Sequence, residues 1–546
     1  MKKFKKTGII GLLIVVMTLS VSYKSDFFEV AKQIEIYTSV FKELNMYYID
    51  EVNPTQLTSD AINNTLKNLD PYTRYYDEQG VEDYKIKSRG SYGGIGASSS
   101  FFDKELFVRE VYEDSPAAKA GLKAGDQIIK IGDVLVKDFE GKSITSLLKG
   151  LPDTKVKIKI NRNGKKIKTT VTRATIEIDP VPFHAMIDKE VGYMAFVKFN
   201  KKASARVKEA YDDLKAEGMK KLIIDVRFNP GGLLNEVVKI VNYFVPKDQI
   251  VVTTKSKVKK WNKTYKTRQT PIDLDIPLVI LINGRSASAS EILSGALQDL
   301  DRAVVIGERS FGKGLVQRTR RLPYGTQMKL TISKYYTPSG RCIQELDYTN
   351  RDHKTGIVPK FDPKNRNMFK TTNGRKVYDG GGVEPDIKIE KADKSVATKA
   401  LIRSNAIFKF ASDYQYKHST IKSPTDFMLT DTDYKAFINY ITTNKTSFKT
   451  KAERSFEKAF KVAEKDEYAT DIQTGYDDLL KQINTKKIAD LAINKEEITT
   501  YLTDEILKQY YYKKGIYEHK FAHDNVIKKA AELLNNTAKY KKVFKK

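Results

Sequence analysis

From residue 191 to about 300, short apolar runs of β type alternate with helical stretches, and this alternation narrows the possible architectures more than any other feature. Residues 191–199, 221–226, 277–282 and 302–306 predict strands, and 203–217, 233–244 and 287–299 predict the helices between them. Parallel strands need a long crossover, which a helix supplies, so the order implies an α/β layer with parallel pairing. Residues 314–336 then read as a β-hairpin turning at Pro323-Tyr324-Gly325.

The flanks differ. Residues 26–89 carry helical periodicity in Val40, Leu44 and Tyr47, and again in Leu57, Ile62, Leu66 and Leu69, until Asp70-Pro71 breaks it. Short β-type runs at 106–111, 127–131, 156–160 and 168–172, with one helical stretch at 143–149, make 90–175 a small β-rich module. The tail from about Lys391 is helical, with Ile498, Leu502 and Ile506 at four-residue steps. The expected fold class is an α/β (α+β) core over 176–390 with the β-rich module inserted before it. Helical regions flank the pair at 23–89 and 391–546.

Composition excludes several functions. Lys and Arg number 96 against 68 Asp and Glu, a formal charge of +28. The excess is mostly Lys spread along the chain, which suits a solvated surface or an anionic membrane neighbour better than base readout, so no nucleic-acid partner is expected. The one Cys, Cys342, excludes a disulfide framework, a Cys-rich zinc module and iron–sulfur clusters. There are five His and no HExxH motif; His519 and His523 stand four apart but lack a third ligand. Neither metal nor cofactor is expected. At the N-terminus, Lys2-Lys3-Phe4-Lys5-Lys6 precedes an apolar run over 8–19. As a helix that run covers about 18 Å, short of the ~30 Å bilayer core. Residues 1–22 therefore predict export, to the periplasm or the cell exterior, with cleavage after Ser22 or retention as an anchor both open.

Three segments could hold chemistry. Asn283-Gly284-Arg285-Ser286-Ala287-Ser288-Ala289-Ser290-Glu291 lies where a buried strand meets a helix. A serine there can present its hydroxyl beside the first N–H groups of the helix, or simply cap it, with Glu291 closing a capping box on Ser288. Gly307-Glu308-Arg309-Ser310-Phe311-Gly312-Lys313-Gly314 sets Lys313 between glycines beyond another strand. A lysine whose pKa is lowered can serve as base to a hydroxyl nucleophile. The segment is not a phosphate loop, because Gly rather than Ser or Thr follows Lys313. In Arg227-Phe228-Asn229-Pro230-Gly231-Gly232 the glycine N–H groups could supply one arm of an oxyanion hole.

Taken in order and spacing, these segments, with Tyr336-Thr337-Pro338-Ser339-Gly340-Arg341 and Gly382-Val383-Glu384-Pro385-Asp386, resemble the carboxyl-terminal processing (tail-specific) serine proteases. The resemblance covers about residues 26–391. It implies a serine endopeptidase with a Ser–Lys dyad: Ser288 as nucleophile, Lys313 as base, and Gln317 orienting the lysine. Ser286 and Ser290 are lesser candidates for nucleophile. It also implies an oxyanion hole from Ala289 and either Gly231 or Gly232. Ser91 to Ala97 and Asp114 to Ile128 resemble a PDZ domain, with Gly94-Ile95-Gly96 as the carboxylate-binding loop. The implied partners are proteins with accessible C-terminal tails, and homo-oligomer formation stays open. Phe228 departs from the family, which usually has a polar residue there, and Cys342 stands where Ser is common.

Two rivals are weaker. Ser310 to Lys313 as SxxK with Lys354-Thr355-Gly356 as KTG would suggest a penicillin-binding protein, but no SDN is present and glycines disfavour the helix that SxxK opens. A non-catalytic PDZ scaffold would have no reason to keep Ser288, Lys313 and Gln317 together.

Overall fold

The apolar runs form one six-stranded sheet, in the order Phe183–Met186, Val191–Ala195, Lys221–Asp225, Leu278–Ile282, Val304–Gly307, Ile387–Lys388. The first pair is antiparallel and the rest are parallel. Asp225 sits beside Leu281, and Ile282 beside Gly307, so three neighbouring strands end at one level. Every residue of Val191–Ala195, Leu278–Ile282 and Val304–Gly307 is buried, which explains apolar runs without alternation. Leu222, Ile224, Ile280 and Ile282 join Val207, Val237, Ile240 and Leu293 in one core, on the face covered by helices Ala203–Ala216, Leu234–Asn242 and Ala289–Asp299. Ile223, Val279, Leu281 and Ile306 share a second core with Ile527, Ala530, Leu534, Tyr540 and Val543. Helices Asn525–Asn535 and Thr537–Val543 therefore cover the other face.

The computed structural model describes residues 27–102, 105–139, 144–352, 354–390, 394–443 and 448–545. The segment on which export is expected lies outside them. Among the described residues, no helix is long and apolar enough to cross a membrane.

The β-rich module has a sheet in the order Ala97–Phe102, Glu105–Val111, Gln127–Ile131, Lys155–Arg162, Lys165–Thr172, with Ser91–Gly94 paired separately to Ala174–Glu177. Leu106, Val108, Ile128, Ile158 and Ile160 form its core. The helical stretch predicted at 143–149 is a 3₁₀ segment, Ile144–Leu148. Five residues, with Gly150 at φ +159° two positions beyond, leave no room for successive i→i−4 bonds.

In the tail, Ile498, Leu502 and Ile506 are fully buried with Leu401, Phe410 and Phe437. Helix Lys495–His523 bends at Tyr511 and Tyr512, where the backbone is not helical. Tyr512 packs against the core of the β-rich module. Arg109 of that module lies 3.9 Å from the ring centre of Phe408 and 3.7 Å from Glu505, joining the module to the helical region.

Residues to Asp77, with 319–330, form a separate compact unit. It contains a helix over 27–47, helix Pro54–Lys67, and strand Arg74–Tyr76 paired with residues 327–329 near the hairpin tip. Asp70 ends the second helix by accepting from the N–H groups of Tyr72 (2.8 Å) and Thr73 (2.9 Å).

Candidate active site

The three loops that leave the level ends of strands Lys221–Asp225, Leu278–Ile282 and Val304–Gly307 converge. In the middle loop, Ser288 takes φ +57°, ψ −112°, a left-handed conformation for a residue with a side chain, and the helix begins after it at Ala289. This turn delays the helix by two residues relative to the start predicted at 287. Ser286 and Ser290 are fully buried and their hydroxyls donate to the carbonyls of Val226 (2.8 Å) and Asn229 (2.9 Å). Ser288 is only half-buried, so it alone of the three stands toward the loops. The Ala289 N–H, in the first turn, has no acceptor among the described residues.

Glu291 joins the serine turn to the lysine loop. One carboxylate oxygen accepts from the N–H of Ser288 (2.7 Å) and the N–H of Lys313 (2.9 Å). The other accepts from Ser310 Oγ and the Gly312 N–H, both at 2.6 Å. The capping contact to Ser288 predicted from sequence is thus one of four. Complete burial pushes the Glu291 carboxyl up to about 7, against these donors, which favour the charged form.

Lys313 is half-buried between two pinned glycines. Gly312 has φ +85°, and a Cβ there would lie 2.5 Å from Glu345 Cβ. The Gly314 N–H donates to Gln344 Oε1 (2.8 Å) and its carbonyl accepts from Tyr335 N (2.9 Å). The Tyr335 hydroxyl in turn reaches the Ser288 carbonyl at 3.3 Å. Gln317 lies on strand Leu315–Arg321, and its amide donates to Thr331 Oγ1 across the hairpin (3.3 Å). Ser310, the SxxK rival, is buried; it donates to Glu291 and accepts from Val383 N (2.6 Å), a structural brace. The remaining motifs also brace. Arg341, fully buried, bonds Gln298 (2.7 Å) and Asp299 (2.8 Å) at the far end of the serine helix, and Asp386 accepts from Val305 N (2.8 Å).

In the third loop the Gly231 N–H donates to Asn229 Oδ1 (2.9 Å), so it is spent inside the turn. The N–H of Gly232 has no acceptor among the described residues. Position 231 must be glycine, since a Cβ would lie 2.6 Å from the Ala287 carbonyl and 2.8 Å from Ala289 N. Asn229 O accepts from Ala287 N (3.0 Å), so this turn and the serine turn are laced together. Sequence reasoning missed what lies behind the turn. Arg227 Nη2 bonds Asp225 (2.7 Å) and Nη1 bonds Asp524 (2.9 Å). Burial disfavours the guanidinium charge, yet the two carboxylates outweigh it and raise the Arg227 pKa. Arg227 follows a buried strand, a local signal that it has an acid partner; which acid could not be read.

In the β-rich module Gly94 closes strand Ser91–Gly94, Ile95 and Gly96 form the loop, and Ala97 opens the edge strand Ala97–Phe102. Gly96 has φ +73°, and a Cβ would lie 2.3 Å from Ser115 Cβ. Gly94 bridges to Lys149. His519 and His523 donate ring N–H groups to the carbonyls of Pro424 (2.9 Å) and Thr425 (2.8 Å). No group of three or more His, Cys, Asp or Glu suited to a metal occurs among the described residues.

Comparison with known proteins agrees with this layout. Residues 190–357 match peptidase family S41, residues 93–172 a PDZ domain, and residues 397–534 the probable PDZ-protease C-terminal helical domain. The carboxy-terminal-processing protease of Bartonella bacilliformis is 33% identical over 326 residues, covering 58% of this chain and 74% of that protein. The carboxy-terminal processing protease CtpA of Bacillus subtilis is 30% identical over 406 residues, 73% of this chain and 84% of that one. Among solved structures, the photosystem II D1 C-terminal processing protease is 26% identical, covering 64% of this chain and 86% of that chain with a TM-score of 0.36. With a relative 30% identical along 84% of its length, the chain belongs to the carboxy-terminal processing proteases, serine-type peptidases of family S41 that carry a PDZ domain.

Proposed function

We propose that this protease is exported and cleaves within the tails of proteins whose C-termini its PDZ domain holds, using Ser288 and Lys313. The observation that carries the dyad is Glu291, whose single oxygen binds the backbone N–H groups of both residues. Neutral Lys313 takes the Ser288 proton as Oγ attacks the scissile carbonyl, and the ammonium then protonates the leaving amine. Water, deprotonated by Lys313, releases the acyl group and restores the serine. The Ala289 N–H and a glycine N–H of the turn, for which Gly232 is the better candidate, hold the oxyanion. Gln317 orients the lysine from the neighbouring strand. The loop Gly94-Ile95-Gly96 takes the substrate carboxylate, and the tail adds to edge strand Ala97–Phe102.

Residues 1–22 direct export, and the basic balance suits an exported protein beside an anionic membrane. The chain forms a homo-oligomer through helix 27–47. There Phe27, Val30, Ile34, Tyr37, Phe41 and Leu44 follow a three-four spacing, and Phe27, Val30, Ile34 and Tyr37 are at least half exposed. Residues flanking this seam (Ala31, Gln33, Thr38, Val40, Asn45) are uncharged, so nothing repels a second copy.

The test is cleavage of a peptide with an apolar free C-terminus. Ser288→Ala and Lys313→Ala should each abolish it while circular dichroism stays that of the wild type. Unchanged cleavage by Ser288→Ala would reject the nucleophile.

A further inference from the structure

We infer that Asp524, the cap of helix Asn525–Asn535, is a positioning residue for the hydrolysis, acting through Arg227 on the oxyanion turn. It presupposes the Ser288 chemistry proposed above and adds to it a part for residues some 300 positions downstream of that turn.

The two oxygens of Asp524 have separate tasks. Oδ1 caps helix Asn525–Asn535, accepting from Val526 N (2.8 Å) and Ile527 N (3.2 Å). Oδ2 accepts from Arg227 Nη1 (2.9 Å). Arg227 is thereby held from two sides, since its Nε and Nη2 bond Asp225 (3.0 and 2.7 Å), which also accepts from Tyr193 OH (2.9 Å). The side chains of Asp225, Arg227 and Asp524 are 8%, 13% and 20% exposed. Charges so little hydrated interact strongly, and a guanidinium that lost one carboxylate would be driven to a new position.

The turn that begins after Arg227 needs holding. Phe228 has φ +64°, a strained conformation for a bulky residue; it is 55% exposed, with the Arg285 guanidinium 5.9 Å from its ring centre, so little packing fixes it. Such strain persists only where the surroundings over-determine it. The restraints include the Arg227 anchors, the bond from Phe228 N to Asn283 Oδ1 (3.0 Å), and the bonds from Asn229 N to Val226 O (3.2 Å) and from Asn229 Nδ2 to Phe196 O (2.9 Å). One residue on, Asn229 accepts from Ala287 N and Ser290 Oγ and so fixes the turn against the serine loop.

Asp524 is itself rigidly placed. Its helix buries Ile527, Ala530 and Leu534 against the sheet. Asn535 at the helix end bonds Lys221 (2.9 Å) and Asp188 (2.7 Å), and the Tyr540 hydroxyl bonds both N (2.9 Å) and O (3.0 Å) of Leu278. The helix thus spans strand Lys221–Asp225 from one end to the other, and its docking delivers the carboxylate that sets the turn.

Asp524→Asn in the full chain keeps a helix-capping side chain and removes the charge. The expected result is a fall in kcat of tenfold or more on the peptide above, with KM changed less than twofold and circular dichroism unchanged. A kcat within twofold of wild type, or a lowered Tm with unchanged kcat, would overturn the positioning role. If the Asn variant does not fold, Asp524→Ser, which also caps without charge, is judged by the same outcomes. Ser288→Ala run alongside separates the two claims. If it stays active, the serine chemistry fails; if it is dead while Asp524→Asn is unimpaired, only the role of Asp524 fails.

Discussion

Burial and hydrogen bonding pull Glu291 in opposite directions, and the balance puts its titration near neutrality. Its pKa lies at about 7 against an ordinary 4.5, so between those values the folded chain binds the proton that the unfolded chain has lost. Folding stability attributable to this group is therefore greatest below pH 4.5 and declines as pH rises through 7, by at most about 1.4 kcal/mol per pH unit. Catalysis runs the other way, because only the ionised carboxylate accepts all four donors from the serine and lysine loops. Wild-type Tm is expected to fall between pH 5 and 7 while kcat rises. Glu291→Gln should flatten the Tm trend and lower kcat at pH 8 about tenfold, a size in keeping with a lost buried charged acceptor. Melting curves and kcat–pH profiles check this, and an unaltered Tm–pH slope in the variant would contradict it. At this scale the sequence offered three serines within five positions, and the structure buries two of them, Ser286 and Ser290. The repeated Ser-Ala pattern could not show which hydroxyls face carbonyls, since that depends on the turn after strand Lys221–Asp225.

The elements around the site were largely legible, because the central strands are buried on both faces and helices Ala203–Ala216 and Leu234–Asn242 each bury one apolar stripe, while helix Ala289–Asp299 is buried all round. Strand Gln127–Ile131 is found as predicted, as are the starts at 191, 203 and 221 and the ends at 282 and 299, while several other ends shift by a few residues where the chain turns out of the sheet or, at Ser288, into a left-handed conformation. Not read from the sequence were strand Ile250–Lys255, a short β-branched run, and strand Lys263–Lys266, whose four polar, Lys-rich residues hide the pattern. The bend at Tyr511 and Tyr512 was equally hidden, since no Pro marks it; there Tyr512 packs against the core of the β-rich module. The edge strand Ala97–Phe102 carries an expectation of its own. If the loop before it binds a carboxylate, amidating the C-terminus of a bound peptide should weaken binding tenfold or more. Equal affinity for acid and amide in calorimetry would remove Gly94-Ile95-Gly96 from that role.

For the whole molecule, the chain's last helices are part of the protease core, because an α/β sheet with one bare face would leave Ile223, Val279, Leu281 and Ile306 in water. At roughly 1.5–3 kcal/mol for each fully buried Ile, Leu or Val, that exposure would consume a large share of a typical domain's net stability. Helix 27–47 presents an apolar seam with no cover among the described residues of its own unit. Light scattering of the full chain at micromolar concentration is expected to give a multiple of the 62.1 kDa chain mass, and Ile34→Glu with Tyr37→Glu to reduce it to one chain. A wild type that is already monomeric would contradict the assembly.

By itself the sequence determined the period of each element, the strand–helix order of the core, and the three loops in which Ser288, Lys313 and Gly232 sit. These are local properties, written in spacing and turn residues. Only the tertiary structure decided that Glu291 holds the two loops together, that Gly231 spends its N–H inside the turn, and that Asp524 answers Arg227 across 297 residues. Partners for buried charge are chosen by which surfaces meet when the sheet is covered, and sequence separation carries no record of that meeting.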